Sequence, residues 1–79
     1  MAVLHDRVFR YRARLEADRS IEADLSSQDR ADVIRLLGMA VNMLSNQGGL
    51  EPADVARKCR DDQVSPSVNQ RVTKILTSV

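Results

Sequence analysis

The sequence has one cysteine, Cys59, and one histidine, His5, among 79 residues. A lone cysteine excludes a disulfide within the chain. One Cys and one His cannot supply the four ligands of a structural zinc site. Glycine and proline are also scarce, at three and two residues. There is no Gly-rich phosphate loop, internal repeat or low-complexity tract. The longest apolar run, Leu36 to Val41, lies between Arg35 and Asn42, far short of the ~20 residues that span a bilayer. Asp6 and Arg7 interrupt the N-terminal stretch, which argues against a secretory signal. A single thiol suits a reducing compartment. These absences lead to an expectation of a cytoplasmic protein with no membrane role, no metal and no cofactor.

Catalytic chemistry has little to build on. His5 sits in the first turn of a helix, and Asp6 beside it projects about 100° away. No second histidine exists for a triad. Cys59, between Lys58 and Arg60, reads as a nucleophile or, more simply, as a buried inert thiol. Asp61-Asp62 lacks metal-ligand spacing. The expectation is a protein that is not an enzyme and has no catalytic residues.

What is present is an ordinary folded composition, 43% apolar and 29% charged, with net charge +1 and pI near 8.0. A single domain over residues 1–79 fits this length. Such a chain buries only roughly 60–65% of its unfolded surface. With disulfides and metal excluded, self-association is the expected source of additional burial. The charge is unevenly spread: residues 1–19 carry five Arg against three acids, 20–50 two Arg against four acids, and 51–79 five bases against four acids. Basic ends around an acidic middle permit limited polyanion binding and disfavour strong non-specific binding.

The apolar periodicity is helical throughout, so the fold class is all-α: a small three- or four-helix domain. Leu4, Val8, Tyr11 and Leu15 put one apolar face on a helix spanning about Val3 to Asp18. Asp6–Arg10, Arg12–Glu16 and Arg14–Asp18 are i,i+4 pairs on its surface. Arg19 to Ser27 form a connection in which Ile21 and Leu25 can turn inward. Ser26 or Ser27 caps a second helix that runs to about Ser45 and ends at Asn46-Gln47-Gly48-Gly49. Its face of Val33, Ile34, Leu36, Leu37, Ala40, Val41 and Leu44 spans about 160°, and Met39 and Met43 widen it to about 220°. So wide a stripe needs at least two packing partners. Gly38 mid-helix costs about 1 kcal/mol relative to Ala, which another closely approaching backbone would explain. Pro52 opens a short third helix with Ala53, Val55, Ala56 and Cys59 inward. Ser65-Pro66 opens a fourth, with Val68, Val72, Ile75 and Leu76 as its stripe and Val79 free to fray.

Within residues 51–77, Val55-Ala56 in one helix and Val64-Ser65 before the next resemble the helix-turn-helix of transcriptional regulators. That resemblance implies DNA binding, with the last helix entering the major groove. Ser67, Asn69, Gln70, Arg71 and Lys74 are then the candidate contacts, Asn and Gln for adenine, Arg71 for guanine or phosphate and Lys74 for phosphate. The chain departs from the pattern in its turn, which is long, lacks Gly and carries Asp61 and Asp62, charges that repel phosphate. The same residues also fit a plain helical hairpin with a solvated polar face. Leu37-Gly38-x-Ala40-Val41-x-x-Leu44 further resembles the small dimeric biofilm and two-component connector proteins, which implies a dimeric regulator. Arg7, Arg10 and Arg14 form a basic edge on the first helix that reads as a phosphate-facing or a merely solvated surface.

Phe9, pointing away from its helix's apolar seam, together with Gly38, Met39 and Met43, marks a candidate homodimer or partner interface. Core packing beneath the connecting segment is the other reading. Two functions are therefore expected: a dimeric DNA-binding transcriptional regulator, or a protein-binding adaptor or inhibitor with no nucleic-acid role.

Overall fold

The apolar stripes become four helices, α1 (Leu4–Ala17), α2 (Ser27–Asn46), α3 (Pro52–Lys58) and α4 (Pro66–Ser78). The computed structural model describes residues 3–79, and among them there is no strand. The all-α reading holds, with helix ends within a residue or two of those expected.

α1 and α2 form an antiparallel hairpin. Arg30 at the start of α2 reaches the carbonyls of Leu15 and Asp18 at the end of α1, and Arg12 reaches that of Ile34 further along α2. α3 packs on α4, and α2 touches all three other helices. α2 is thus the central element that its wide stripe demanded. The core takes Val8 and Leu15 from α1 and Val33, Leu36, Leu37 and Ala40 from α2. Val55, Ala56 and Cys59 join from the α3 end, and Val68, Val72, Ile75 and Leu76 from α4. Each buried leucine contributes roughly 1.5–3 kcal/mol. Met43, Leu44, Ile34 and Val41 are half-buried around this centre, so most of the stripe is covered within the chain.

Local chemistry explains the boundaries. Ser26, not Ser27, is the N-cap of α2: its Oγ accepts the Asp29 N–H at 3.1 Å. At the other end of α2 the left-handed residue is Gly49, φ +77°, one place later than the expected position next to the cap. Ser65 occupies the N-cap position of α4 but makes no side-chain cap bond; its hydroxyl shares a hydrogen bond with that of Ser67 at 3.0 Å. Val79 is tied rather than frayed. Its N–H donates to Ile75, and its carbonyl accepts from Arg7 at 3.1 Å.

Gly38 is approached by a side chain instead of a backbone. A Cβ there would lie 3.2 Å from Arg12 Nε. Without one, the guanidinium lies flat on α2 and donates to the Ile34 carbonyl at 3.2 Å, while Arg12 Nη1 pairs with Glu16 at 3.0 Å. A side chain at position 38 would crowd the guanidinium that makes this bond.

Residues 18–26 link the two helices as a series of turns. The Asp18 carboxylate accepts from both the N–H and the hydroxyl of Ser20. Ile21 and Leu25 are half-buried against the core, as their pattern suggested. Arg30 binds the Leu15 and Asp18 carbonyls at 2.8 and 2.7 Å and that of Glu22 at 3.3 Å. It thereby satisfies acceptors that a helix end leaves open. No helix among the described residues is long and apolar enough to cross a membrane.

Candidate functional site

The α3–α4 hairpin carries most of the polar candidates, and its own packing sorts them. Ala56, 5% exposed, lets α3 sit close to α4. The turn between them is fastened by Asn69, which is 7% exposed. Asn69 Oδ1 accepts the Asp61 N–H at 3.1 Å, and Nδ2 donates to the Asp61 carbonyl at 2.8 Å. Both polar ends of that side chain are therefore engaged inside the fold, and Asn69 cannot offer the bidentate pair that reads an adenine without breaking the turn. The signal was legible in hindsight: Asn69 lies next to Val68 and three residues before Val72, on the edge of the buried arc.

Asp61 is also turned inward. Its carboxylate accepts the Gln63 N–H at 2.9 Å and pairs with Arg35 of α2 at 3.0 Å. These contacts, the Gln63 amide first, hold its carboxyl below the usual carboxylate range. One of the two acids that count against a phosphate partner is thus neutralised by α2. Asp62 stays exposed, 3.7 Å from Arg60 Nε.

Ser67, Gln70 and Lys74 remain on the surface. At 100° per residue they fall within about 60° of one another and form the outward ridge of α4. On one side of this ridge a groove of about 250 Å³ separates α4 from α3, lined by Arg57, Arg60, Thr73 and Thr77 among others. Arg57 is paired with Asp54 at 2.7 Å and is well exposed. The two threonine hydroxyls donate to the carbonyls four residues back, which leaves them only acceptor capacity toward a ligand.

On the other side lies Arg71, which is not part of the ridge. Its guanidinium is held by Glu22 Oε1 at 2.9 Å and by both oxygens of Asp24, all from the α1–α2 connector. This contact to Asp24, above all others, pulls the Asp24 carboxyl down to about 2 and raises Arg71 itself. Glu22 adopts φ +55°, the left-handed conformation that non-glycine residues disfavour. Tyr11 lies beside it; burial first, then the hydrogen bond to Glu22, raises its phenol. Tyr11, Glu22, Lys74 and Ile75 help line a cleft of about 240 Å³. Sequence reasoning missed this cluster because its members are 47 and 49 residues apart.

No protein-family model matches the chain, and no curated protein or solved structure is similar to it. The site must speak through its own chemistry.

The apolar candidates occupy separate edges. Phe9 is 53% exposed and stacks on His5, with ring centroids 6.3 Å apart. It lies one turn before Arg12 and so borders the Gly38 edge of α2. Gly38 itself is covered by Arg12. Met39, 44% exposed, projects about 140° from Ile34 and one turn from Arg35, on the Asp61 side. Met43 is half-buried against the core. These four residues therefore do not form one patch.

The remaining polar groups are quickly placed. His5 Nδ1 lies 3.3 Å from Asp6, closer than their positions on a helix suggested. Cys59 is fully buried, and burial pushes its thiol above the ordinary value, opposite to what activates a nucleophile. Among the described residues, no three His, Cys, Asp or Glu side chains are grouped to hold a metal.

Proposed function

We propose that the protein is a small DNA-binding regulator that contacts the duplex through the α3–α4 hairpin. The observation that carries this reading is the outward ridge of Ser67, Gln70 and Lys74, flanked across the α3–α4 groove by Arg57 and Arg60. The inward turn of Asp61 toward Arg35 supports it, because the hairpin then presents less negative charge to phosphates. Lys74 and the α3 cations contact phosphates, and Gln70 reads a base edge. The modest charge implies weak, salt-sensitive binding. Titration of a fluorescent duplex at low salt tests it. Lys74→Ala should weaken binding evenly across sequences and lower the salt slope by about one. Absence of salt-dependent binding overturns the reading.

Exposed Val3 and Phe9 at the α1 edge favour a second reading, a protein surface, of which a second copy of the chain is the simplest occupant. Phe9→Asp should then abolish association while the helical circular dichroism persists. A monomer mass by light scattering at tens of micromolar removes the homodimer.

A further inference from the structure

α4 has two cations, Arg71 and Lys74, and the connector places acid beside both. Arg71 is held by Glu22 and Asp24 together, and Lys74 feels the Asp24 carboxylate as well. Asp24 meets the guanidinium with both oxygens, the fork geometry that a phosphate also satisfies. Arg71 lies only about 40–60° around α4 from Ser67 and Lys74, so it borders the proposed contact ridge.

We infer that the α1–α2 connector is an autoinhibitory element, in which Glu22 and Asp24 occupy Arg71 in place of a DNA phosphate. This rests on the DNA-binding reading above and deepens it: Arg71 is a phosphate ligand held in reserve. Two carboxylates offset the charge of Arg71 and Lys74, so the closed surface attracts a polyanion less than the open one. The connector is held unevenly. Arg30 binds the carbonyls of Leu15 and Asp18 at 2.8 and 2.7 Å, but that of Glu22 only at 3.3 Å. Glu22 is also in the left-handed conformation, which non-glycine residues disfavour. Asp24 is 65% exposed at the outer edge of the connector, which opens its contact with Arg71 to a competing anion. Because the Asp24 carboxyl stays ionised well below neutrality, the agent that opens the contact is a competing anion, not a proton.

The test compares wild type, the Glu22→Gln/Asp24→Asn double variant, Arg71→Ala and the triple variant against a labelled duplex of about 25 base pairs. Glu22→Gln keeps an oxygen for Tyr11. The double variant should bind on the order of tenfold tighter, the effect of one added charged hydrogen-bonding contact. Its salt slope should steepen by about one. The same two substitutions made in the Arg71→Ala background should give a markedly smaller gain, because no guanidinium is released. An unchanged affinity in a folded double variant overturns the autoinhibition and leaves the DNA reading standing. So does an equal gain in the Arg71→Ala background, since the acids would then act by their charge alone and not by holding Arg71. No binding by any variant overturns both readings. If circular dichroism shows the double variant unfolded, Asp24→Asn alone, which retains the Glu22–Arg71 bond, is judged by the same criteria with a smaller gain.

Discussion

Two glycines separate what a residue does for a helix from what it does for a turn. Gly38 sits mid-helix, where alanine is favoured by about 1 kcal/mol. The atom that a new Cβ would crowd is the end of the Arg12 side chain, which can shift. Gly38→Ala should therefore stabilise the protein by less than 1 kcal/mol in urea denaturation, while loosening Arg12 from Ile34. Gly49 has open space around it but φ +77°. Gly49→Ala should destabilise by about 1 kcal/mol. If both substitutions shift stability in the same direction, this account of Gly38 is wrong. Asn69 is the third decisive residue at this scale. Asn69→Ala leaves the Asp61 N–H without its side-chain partner and the Asp61 carbonyl with only the 3.4 Å bond from Val64 N–H, and should cost about 1–3 kcal/mol. A surface residue awaiting a base would cost almost nothing to remove. The apolar positions were legible because periodicity alone sorts them. Asn69 and Arg71 were not, since a polar residue at the margin of a stripe is compatible with either face until a neighbour is known.

At the level of the helices, the ends were legible where one side chain makes them. Ser26 binds the Asp29 amide, so Ser26→Ala should lose about 1 kcal/mol, whereas Ser27→Ala should change little. Thermal melts of the two variants separate these expectations; equal losses would defeat the cap assignment. The position of the α1 end was legible but not what completes it, because that group, Arg30, belongs to α2. Arg30→Met keeps the stem and removes the donors. It should fray the last turn of α1 and the connector, seen as faster amide exchange through residues 15–25, while α4 is spared. Exchange that accelerates evenly across all four helices would show that Arg30 supports the whole fold and not this joint. The same dependence on a distant partner explains why α4 looked more basic in sequence than it is in space.

Across the whole molecule, the apolar core and a small set of long-range polar ties share the work of joining the two hairpins. Arg7 with the Val79 carbonyl, Arg35–Asp61, and Arg71 with Glu22 and Asp24 all cross between them. Their acids make stability depend on pH in a defined way. The Asp24 carboxyl lies at about 2 in the folded chain, against 3.8 ordinarily, chiefly through its hydrogen bond with Arg71. Those of Asp61 and Asp18 are lowered as well, by the Gln63 amide with Arg35 and by Ser20 respectively. A carboxyl depressed by folding stabilises the native state fully above its unfolded value. That contribution is lost as pH falls through the folded value, because the unfolded chain takes up the proton first. Stability should accordingly be level above about pH 5 and decline from about pH 4 to about pH 2. Because these groups are largely solvated, the decline should be shallow. Arg71→Ala frees Asp24 but leaves Asp61 and Asp18 with their partners, so the acid limb should persist with reduced slope. Urea midpoints of wild type and Arg71→Ala from pH 7 to pH 2 measure the difference. Curves that stay parallel throughout would mean that the connector's acids are not bound to α4 in solution, and the proposed closed state would lose its basis together with this prediction.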